Sequence, residues 1–496
     1  MIRQYLTRPT RFDEQVLIQI SAVVLAIIGG FFVVTQPLEM SILLIGGVGM
    51  LVASLISPIV PLIALLIIAP LRSLVATEAT LQLPLDPGQL MVVYVIGMWV
   101  MYRISVHSDP LRLKWTHFYV PVGIFIMATA FTLTTAASVS VWATEWLKWV
   151  LIAGLMVLIV STPVSRQWEW LAFGLVCAGV ANAIVGIYIF LGGSGADHLL
   201  ILDRFYRAFG TFGQPNPFGG FMGILAPIAL MMSYGYLQVA VSQWFRSRRI
   251  SVSATLWLGF YSGAALLIIA GIFISWSRGA WLGFGISALF LLAATPRRLS
   301  IAVSVLAMAS ITGGLIWSSG FLPTSITDRV SSATQEAFEL TDVRAVDITS
   351  ANFAIIERLA HWQAAYNMAE SNFWLGIGFG NYEIVYSEYQ LINWDEPLGH
   401  AHNYYLNIFG EAGFIGLSAY LVMIAGILWL IWQTKRHPDP VAHALSIGIM
   451  GSWVYLLAHS LTDNLYVNNI FMHLGIMLGI VSVLHKEVQA IKVANT

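Results

Sequence analysis

The chain is a succession of long apolar runs separated by short polar breaks. The runs are continuous, about 20 residues each, which is the length a helix needs to cross the hydrocarbon of a bilayer. They lack the alternation of barrel strands. Because only helices and closed barrels satisfy their backbone groups in lipid, the pattern predicts an all-α, polytopic helical membrane protein. The first run, Val16 to Val34, follows Arg3, Arg8 and Arg11 in the manner of a signal peptide. It is too long, lacks an Ala-x-Ala cleavage site and leads straight into further runs, so it reads as a retained helix. Further spans begin near Met40, Ile59, Gln89, Phe118, Trp142, Trp168, Phe218, Ala254, Ala280, Ser300, Tyr405, Ala442 and Val467, about 12–14 helices in all. The Pro-flanked piece from Pro58 to Pro70 is the weakest and reads as half of a broken pair with its predecessor.

One interval, Gly320 to Tyr404, holds too few apolar residues to enter lipid, yet Ile355, Ile356, Leu359, Trp362 and Tyr366 recur at helical spacing. It reads as a helical extracytoplasmic loop resting on the membrane part. The organisation expected is therefore 1–319 as transmembrane helices with short loops, 320–404 as the loop domain, and 405–496 as the last transmembrane helices and a cytoplasmic tail. There is no internal repeat at a fixed period and no low-complexity stretch.

Composition narrows the class. Apolar residues make up 58% of the chain and charged residues 10%, against roughly 25% charged in a soluble domain, and the mean hydropathy is +0.78. A soluble protein of this length cannot cover its surface with so few charges. The single cysteine, Cys177, excludes an intramolecular disulfide and a cysteine-based metal site, and reads as an inert packed thiol.

The net charge of −1 says little; the distribution says more. With the N-terminus cytoplasmic, 16 of the 24 basic residues fall at inner helix ends, as the positive-inside rule expects, and an even number of spans preserves that bias. Most acidic residues after Asp197 fall on the outer side. The arginines that break the bias are the informative ones, because a guanidinium at the membrane face is costly to keep without a partner. Arg278, in Ile274-Ser-Trp-Ser-Arg-Gly-Ala-Trp-Leu, must open the next helix. A helix N-terminus with an added arginine suits a doubly charged anion such as pyrophosphate; the bland alternative is a snorkelling side chain. Arg204 and Arg207 precede Gly210-Thr-Phe-Gly-Gln-Pro-Asn-Pro-Phe-Gly-Gly, where prolines keep the chain extended and Gln214 and Asn216 can hydrogen-bond sugar hydroxyls or phosphate oxygens. The alternative here is a plain turn with two solvated arginines.

Gly376-Ile-Gly-Phe-Gly-Asn-Tyr-Glu is not a dinucleotide fingerprint and has no βαβ unit around it, so it reads as tight loop packing. His400-Ala-His-Asn-Tyr-Tyr-Leu lies where the chain re-enters the membrane. Two histidines without a third clustered ligand make a weak metal site. His402 is better suited as a general base, while His400, His361 and His473 read as hydrogen-bonded interface residues. Glu145 and Lys148 neutralise each other within one span. Asp463 and Asn464, at the turn between the last two spans, read as a cap or as partners of a site residue.

Taken in order, Ser277-Arg-Gly-Ala-Trp, Arg358 with Trp362, the Gly376 loop, His402-Asn403 and Glu411-Ala-Gly-Phe-Ile-Gly resemble the O-antigen ligase and polymerase superfamily of membrane glycosyltransferases. The resemblance runs from about Arg204 to Val483, and the earlier helices match only as generic spans. It implies an undecaprenyl-pyrophosphate-linked glycan as donor, a lipid or glycan acceptor, an all-helical bundle capped by the large loop, and an active site outside the bacterial cytoplasmic membrane. Arg278 matches the donor-holding arginine, with Arg207 or Arg204 as the second, and His402 matches the histidine that activates the acceptor hydroxyl. The span count exceeds the usual twelve or so, and His400 adds a second imidazole.

The function expected is an inverting, metal-independent transfer in which Gln214 and Asn216 orient the donor, Asn403 and His400 stand beside the base, and Arg358 and Glu383 hold the loop. No nucleotide sugar, cofactor or nucleic acid is expected, and a monomer in the lipid bilayer suffices. The rivals are a polysaccharide polymerase and a protein oligosaccharyltransferase of the same superfamily, and a transporter or flippase. A transporter predicts inverted repeats and midplane charges; the sequence offers no repeat and only the Glu145 and Lys148 pair inside a span.

Overall fold

A computed structural model describes residues 38–78, 85–106, 113–162, 166–193, 196–296, 298–320 and 353–494, with 324, 327 and 348 singly. The expected first helix, Val16 to Val34, and most of the loop from 321 to 352 lie outside the described residues. The described helices are α1 (Leu38–Ile56), α2 (Val60–Ile68), α3 (Arg72–Glu78), α4 (Pro87–Val106), α5 (Tyr119–Phe131), α6 (Val139–Ser161), α7 (Gln167–Tyr188), α8 (Pro215–Ser247), α9 (Val252–Ile274), α10 (Arg278–Ala294), α11 (Leu299–Ser318), α12 (Phe353–Ser371), α13 (Tyr382–Tyr389), α14 (Tyr404–Thr434), α15 (Pro440–His459) and α16 (Ile470–Ala494). The sheet content is a single antiparallel hairpin, β1 (Leu200–Ile201) and β2 (Phe205–Tyr206), among the described residues. The protein is thus an all-α polytopic membrane protein: among the described residues ten helices are long and apolar enough to span a bilayer, and three shorter apolar ones fall at the other positions expected there.

Two compact units divide the chain at Pro61. In the first, α1 is the main described element. In the second, from Leu62 onward, α2 continues through a 3-10 turn at Ala69–Leu71 into α3. Pro70 lacks the N–H that a continuous helix needs, so α2 and α3 are the two pieces of one interrupted span; the pairing expected with the preceding segment falls across the boundary between the two units.

Local chemistry sets many of the helix starts. Ser138, Ser251, Asn403 and Asp439 accept hydrogen bonds from the first exposed N–H groups of α6, α9, α14 and α15, and Pro215 and Pro440 occupy first-turn positions in α8 and α15. Burial then sorts the helices. The most apolar stretch of α15 is 78% buried and that of α11 only 6%, so α15 is a central element and α11 presents its sides to lipid.

The centre is held by close approach. Lipid offers no hydrophobic drive between helices, so small residues that admit backbones and rings stabilise such packing. α8 packs on α9 and α15, α10 on α15, and α16 on α6. A Cβ on Gly223 of α8 would fall 1.9 Å from the ring of Tyr455 on α15. That ring is fixed by its hydroxyl, which donates to Gly219 O at 3.2 Å and lies 2.7 Å from His459 Nδ1. Glu145 and Lys148 form the expected ion pair, and His473 meets Leu66 O at 2.9 Å as a packed, hydrogen-bonded residue.

Candidate functional site

The site forms where α10 and α14 begin and α15 ends. The connection between α9 and α10 is three residues long, with Trp276 in the left-handed region at φ 55°. Ser275 Oγ donates to Ile272 O and accepts from Ser277 N, which fixes the turn and sets Arg278 as the first residue of α10. Gly279 then packs so closely that a Cβ would lie 2.2 Å from Thr462 Oγ1.

Arg207 arrives at the same turn. Ala208 N donates to Ile274 O at 2.9 Å, Arg207 Nε donates to Ser275 O at 3.2 Å, and Nη2 donates to Asn216 Oδ1 at 3.3 Å. Burial pushes its guanidinium down to about 10, with the like charges of Arg278 and Arg358 adding to the effect, and it stays charged at neutral pH. Burial also lowers Arg358; Asp463 raises it and Arg278 lowers it further. Three guanidinium groups therefore lie within Coulombic reach of one another, an arrangement that favours an anion.

Arg204 goes elsewhere. It closes the hairpin turn after Leu202 and Asp203, both at φ 53°, is exposed, and stacks its guanidinium 5.2 Å from the Phe205 ring centre. The hairpin separates two arginines that the sequence left equivalent.

The His400 to Asn403 segment is positioned by its neighbours. Tyr404 N donates to Ser460 O at 2.8 Å and Tyr405 Oη to Leu457 O at 2.9 Å, tying the segment to the end of α15. His402 sits in the left-handed region at φ 52°, and its N–H donates to His400 Nδ1 at 3.1 Å. Neutral His400 must then carry its proton on Nε2, which lies 3.7 Å from Asp463 Oδ1. His402 Nδ1 is buried and 3.4 Å from the same oxygen, on the margin of a hydrogen bond. This leaves Nε2 as the nitrogen on the ring edge away from Asp463.

Burial raises the Asp463 carboxyl, but the hydrogen bond and charge of His402, with the charges of His400 and His459, outweigh it and hold the group well below the usual carboxylate range. Burial pushes His400 down to about 4, against the opposing pull of Asp463. His361, whose Nδ1 lies 2.9 Å from Tyr382 Oη, is pushed to about 4 by burial, with the charges of His402 and His400 adding; its ring centre is 6.1 Å from that of His402.

A cavity of about 480 Å³ opens beside His400, His402 and Asp463, walled by Gln214, Asn216 and Asn464 and, from α3, by Ser73 and Thr77. Gln214 and Asn216 thus meet His402 across one space. Asn403 acts through the backbone instead: its Oδ1 accepts from Tyr405 N and Leu406 N and starts α14. Glu383 is exposed on the first turn of α13, and Arg358 lies with the other arginines.

The loop is tied down by side chains of the glycine motif and of α14 as well. Tyr382 N donates to Glu411 Oε1 at 3.2 Å, Ala401 N to Asn407 Oδ1 at 3.0 Å, and Ser138 N to Asn381 Oδ1 at 2.7 Å. The glycine loop packs tightly, as expected. Gly376 and Gly378 take φ of 66° and 102°, and a Cβ on them would lie 2.4 Å from the backbone of Glu411 and of Ala136 respectively. A carboxylate inside an apolar span was the available signal for Glu411, and Asn381 lies in the glycine motif; Asn407 carried none.

Ligand atoms of His400, His402 and Asp463 lie within 4.8 Å of one another, so folding supplies the third metal ligand missing from the sequence. The charge of Arg358, which bears on both His400 and Asp463, works against a cation there.

Fold and site together define a multi-pass helical membrane protein with a histidine–aspartate pair beside a guanidinium cluster. Residues 263–421, about a third of the chain, match the family described as O-antigen ligase. The match takes in Arg278, Arg358, the glycine loop and His402, and supports the O-antigen ligase and polymerase superfamily of membrane enzymes for this chain. No curated protein matches it.

Proposed function

We propose that the protein transfers a glycan from an undecaprenyl pyrophosphate carrier to an acceptor hydroxyl on the extracytoplasmic side of the bacterial cytoplasmic membrane. The observation that carries this reading is the convergence of His402, backed by Asp463, with Arg207, Arg278 and Arg358. His402 Nε2 takes the proton of the acceptor hydroxyl as its oxygen bonds to the anomeric carbon. The bond from that carbon to the pyrophosphate oxygen breaks on the opposite face, and the centre inverts. Asp463 stabilises the imidazolium that forms, and the arginines offset the charge that develops on the leaving group. A pyrophosphate needs no further activation, so position and electrostatics supply the catalysis. No nucleotide, cofactor or metal takes part.

The test is transfer by purified protein from a polyprenyl-pyrophosphate glycan. His402→Ala and Arg278→Ala are expected to lose product, and near-normal product from either sinks the reading. Chelation is expected to leave the rate unchanged; a loss restored by zinc would move His400, His402 and Asp463 into metal chemistry. Ligase and polymerase share this donor step, and product length on the lipid carrier against a distinct acceptor separates them.

A further inference from the structure

The cavity beside His402 has an unusual chemical division. Among the described residues none of the three clustered arginines lines it, and its polar wall, apart from His400, His402 and Asp463, consists of the uncharged side chains of Ser73, Thr77, Gln214, Asn216, Asn464 and Asn468. Asn216 stands at the boundary, since it lines the cavity and also accepts from Arg207 Nη2. The guanidinium cluster and the cavity are thus adjacent spaces of different chemistry.

We propose that this neutral wall is the acceptor subsite and that Ser73 and Thr77 help select an uncharged sugar there. The proposal rests on the transferase reading above. The hydroxyl that His402 deprotonates must lie at the imidazole, and this cavity opens at that imidazole among the described residues. Sugar hydroxyls both donate and accept, as do serine, threonine, asparagine and glutamine side chains, whereas a guanidinium only donates. Thr77 Oγ1 spends its proton on Ser73 O at 3.1 Å and Leu74 O at 3.2 Å, so its lone pairs remain to accept from a ligand. Ser73 Oγ lies 3.4 Å from Asn468 Oδ1, and Asn468 is held in the left-handed region at φ 48°, which joins the two sides of the wall. Phe212, Val467 and Leu398 add apolar surface of the kind that covers the carbon face of a pyranose. A carboxylated sugar here would lie beside the Asp463 carboxylate and be repelled. Ser73 and Thr77 belong to α3, far outside the stretch that matches the O-antigen ligase family.

The experiment measures initial rates in purified protein, varying donor and acceptor separately, with the wild type, Ser73→Ala, Thr77→Val and the cavity-filling Thr77→Trp. Removing a neutral hydrogen bond is expected to raise the acceptor KM about tenfold in each polar-to-apolar variant, with donor KM and the rate at saturating acceptor unchanged. Thr77→Trp is expected to block transfer while donor binding persists, and a uronic-acid-ended acceptor to perform at least about tenfold worse than its neutral counterpart. Unaltered acceptor KM in all three variants, or a change confined to donor KM, overturns the proposal. Wild-type protein that transfers nothing from any lipid pyrophosphate overturns the transferase reading, and this subsite with it.

Discussion

Asp463 shows how much one carboxylate can decide. Its Oδ1 lies 3.4 Å from His402 Nδ1 and 3.7 Å from His400 Nε2, so it faces both imidazoles, while the His402 N–H fixes the tautomer of His400. Asp463→Asn keeps the shape and removes the charge that stabilises an imidazolium; the expected result is a kcat lower by about a hundredfold or more with little change in KM, checked by initial rates. The arginines divide in the same way. Arg207→Ala, which deletes a half-buried guanidinium bonded to Ser275 and Asn216, is expected to cost about a hundredfold in kcat. Arg204→Ala, which removes an exposed side chain stacked on Phe205, should stay within about twofold, as surface substitutions usually do. Equal losses from the two would show that both hold the donor.

Between elements, the junction of the loop with α14 is the joint that matters. Gly376 N donates to Asn372 O, Ile377 N to Gly410 O and Gly378 N to Glu411 O, at the place where Gly413 breaks the helical path of α14. Gly376→Ala requires φ of 66° in a residue with a side chain, against backbone at 2.4 Å. A loss of at least ~2 kcal/mol is expected, read as a lower thermal midpoint in detergent, with transfer falling in parallel. The loop also carries a pH dependence. His361 and His400 take up a proton near 4 in the folded protein but near 6.5 in the unfolded chain. Between those values the unfolded state binds more protons, so stability is full above about 6.5 and declines as pH falls toward 4. His361→Gln should flatten part of that decline in thermal unfolding followed against pH; an unchanged slope would assign it to other groups.

Across the unit from Leu62 onward, the site depends on how tightly the central helices approach. α8, α10 and α15 meet through Gly219, Gly223, Gly279 and Gly283 against Ser275, Tyr455 and Thr462. Gly223→Leu would drive the Tyr455 ring off its bonds to Gly219 and His459, lowering thermal stability and activity together; an unaffected thermal midpoint would mean that α8 and α15 can separate without cost. The apolar runs announced these helices within a few residues, because satisfying backbone groups in lipid leaves a chain little else to do. Arg278 and His402 were legible too, as polar residues placed where a membrane chain pays to keep them. Asp463 was legible as a cap or as the partner of a site residue, without saying which residue, and Arg358 as a side chain that holds the loop. Ser73 and Thr77 gave no signal at all, since hydroxyls at a helix end are ordinary. The sequence by itself determined the class and the spans and singled out Arg278 and His402 as candidates, all from properties of short stretches in a uniform apolar medium. The pairing of His402 with Asp463, the docking of Arg207 but not Arg204 on Ser275, and the neutral wall of the cavity were decided only by tertiary structure, because each brings together residues far apart in the chain.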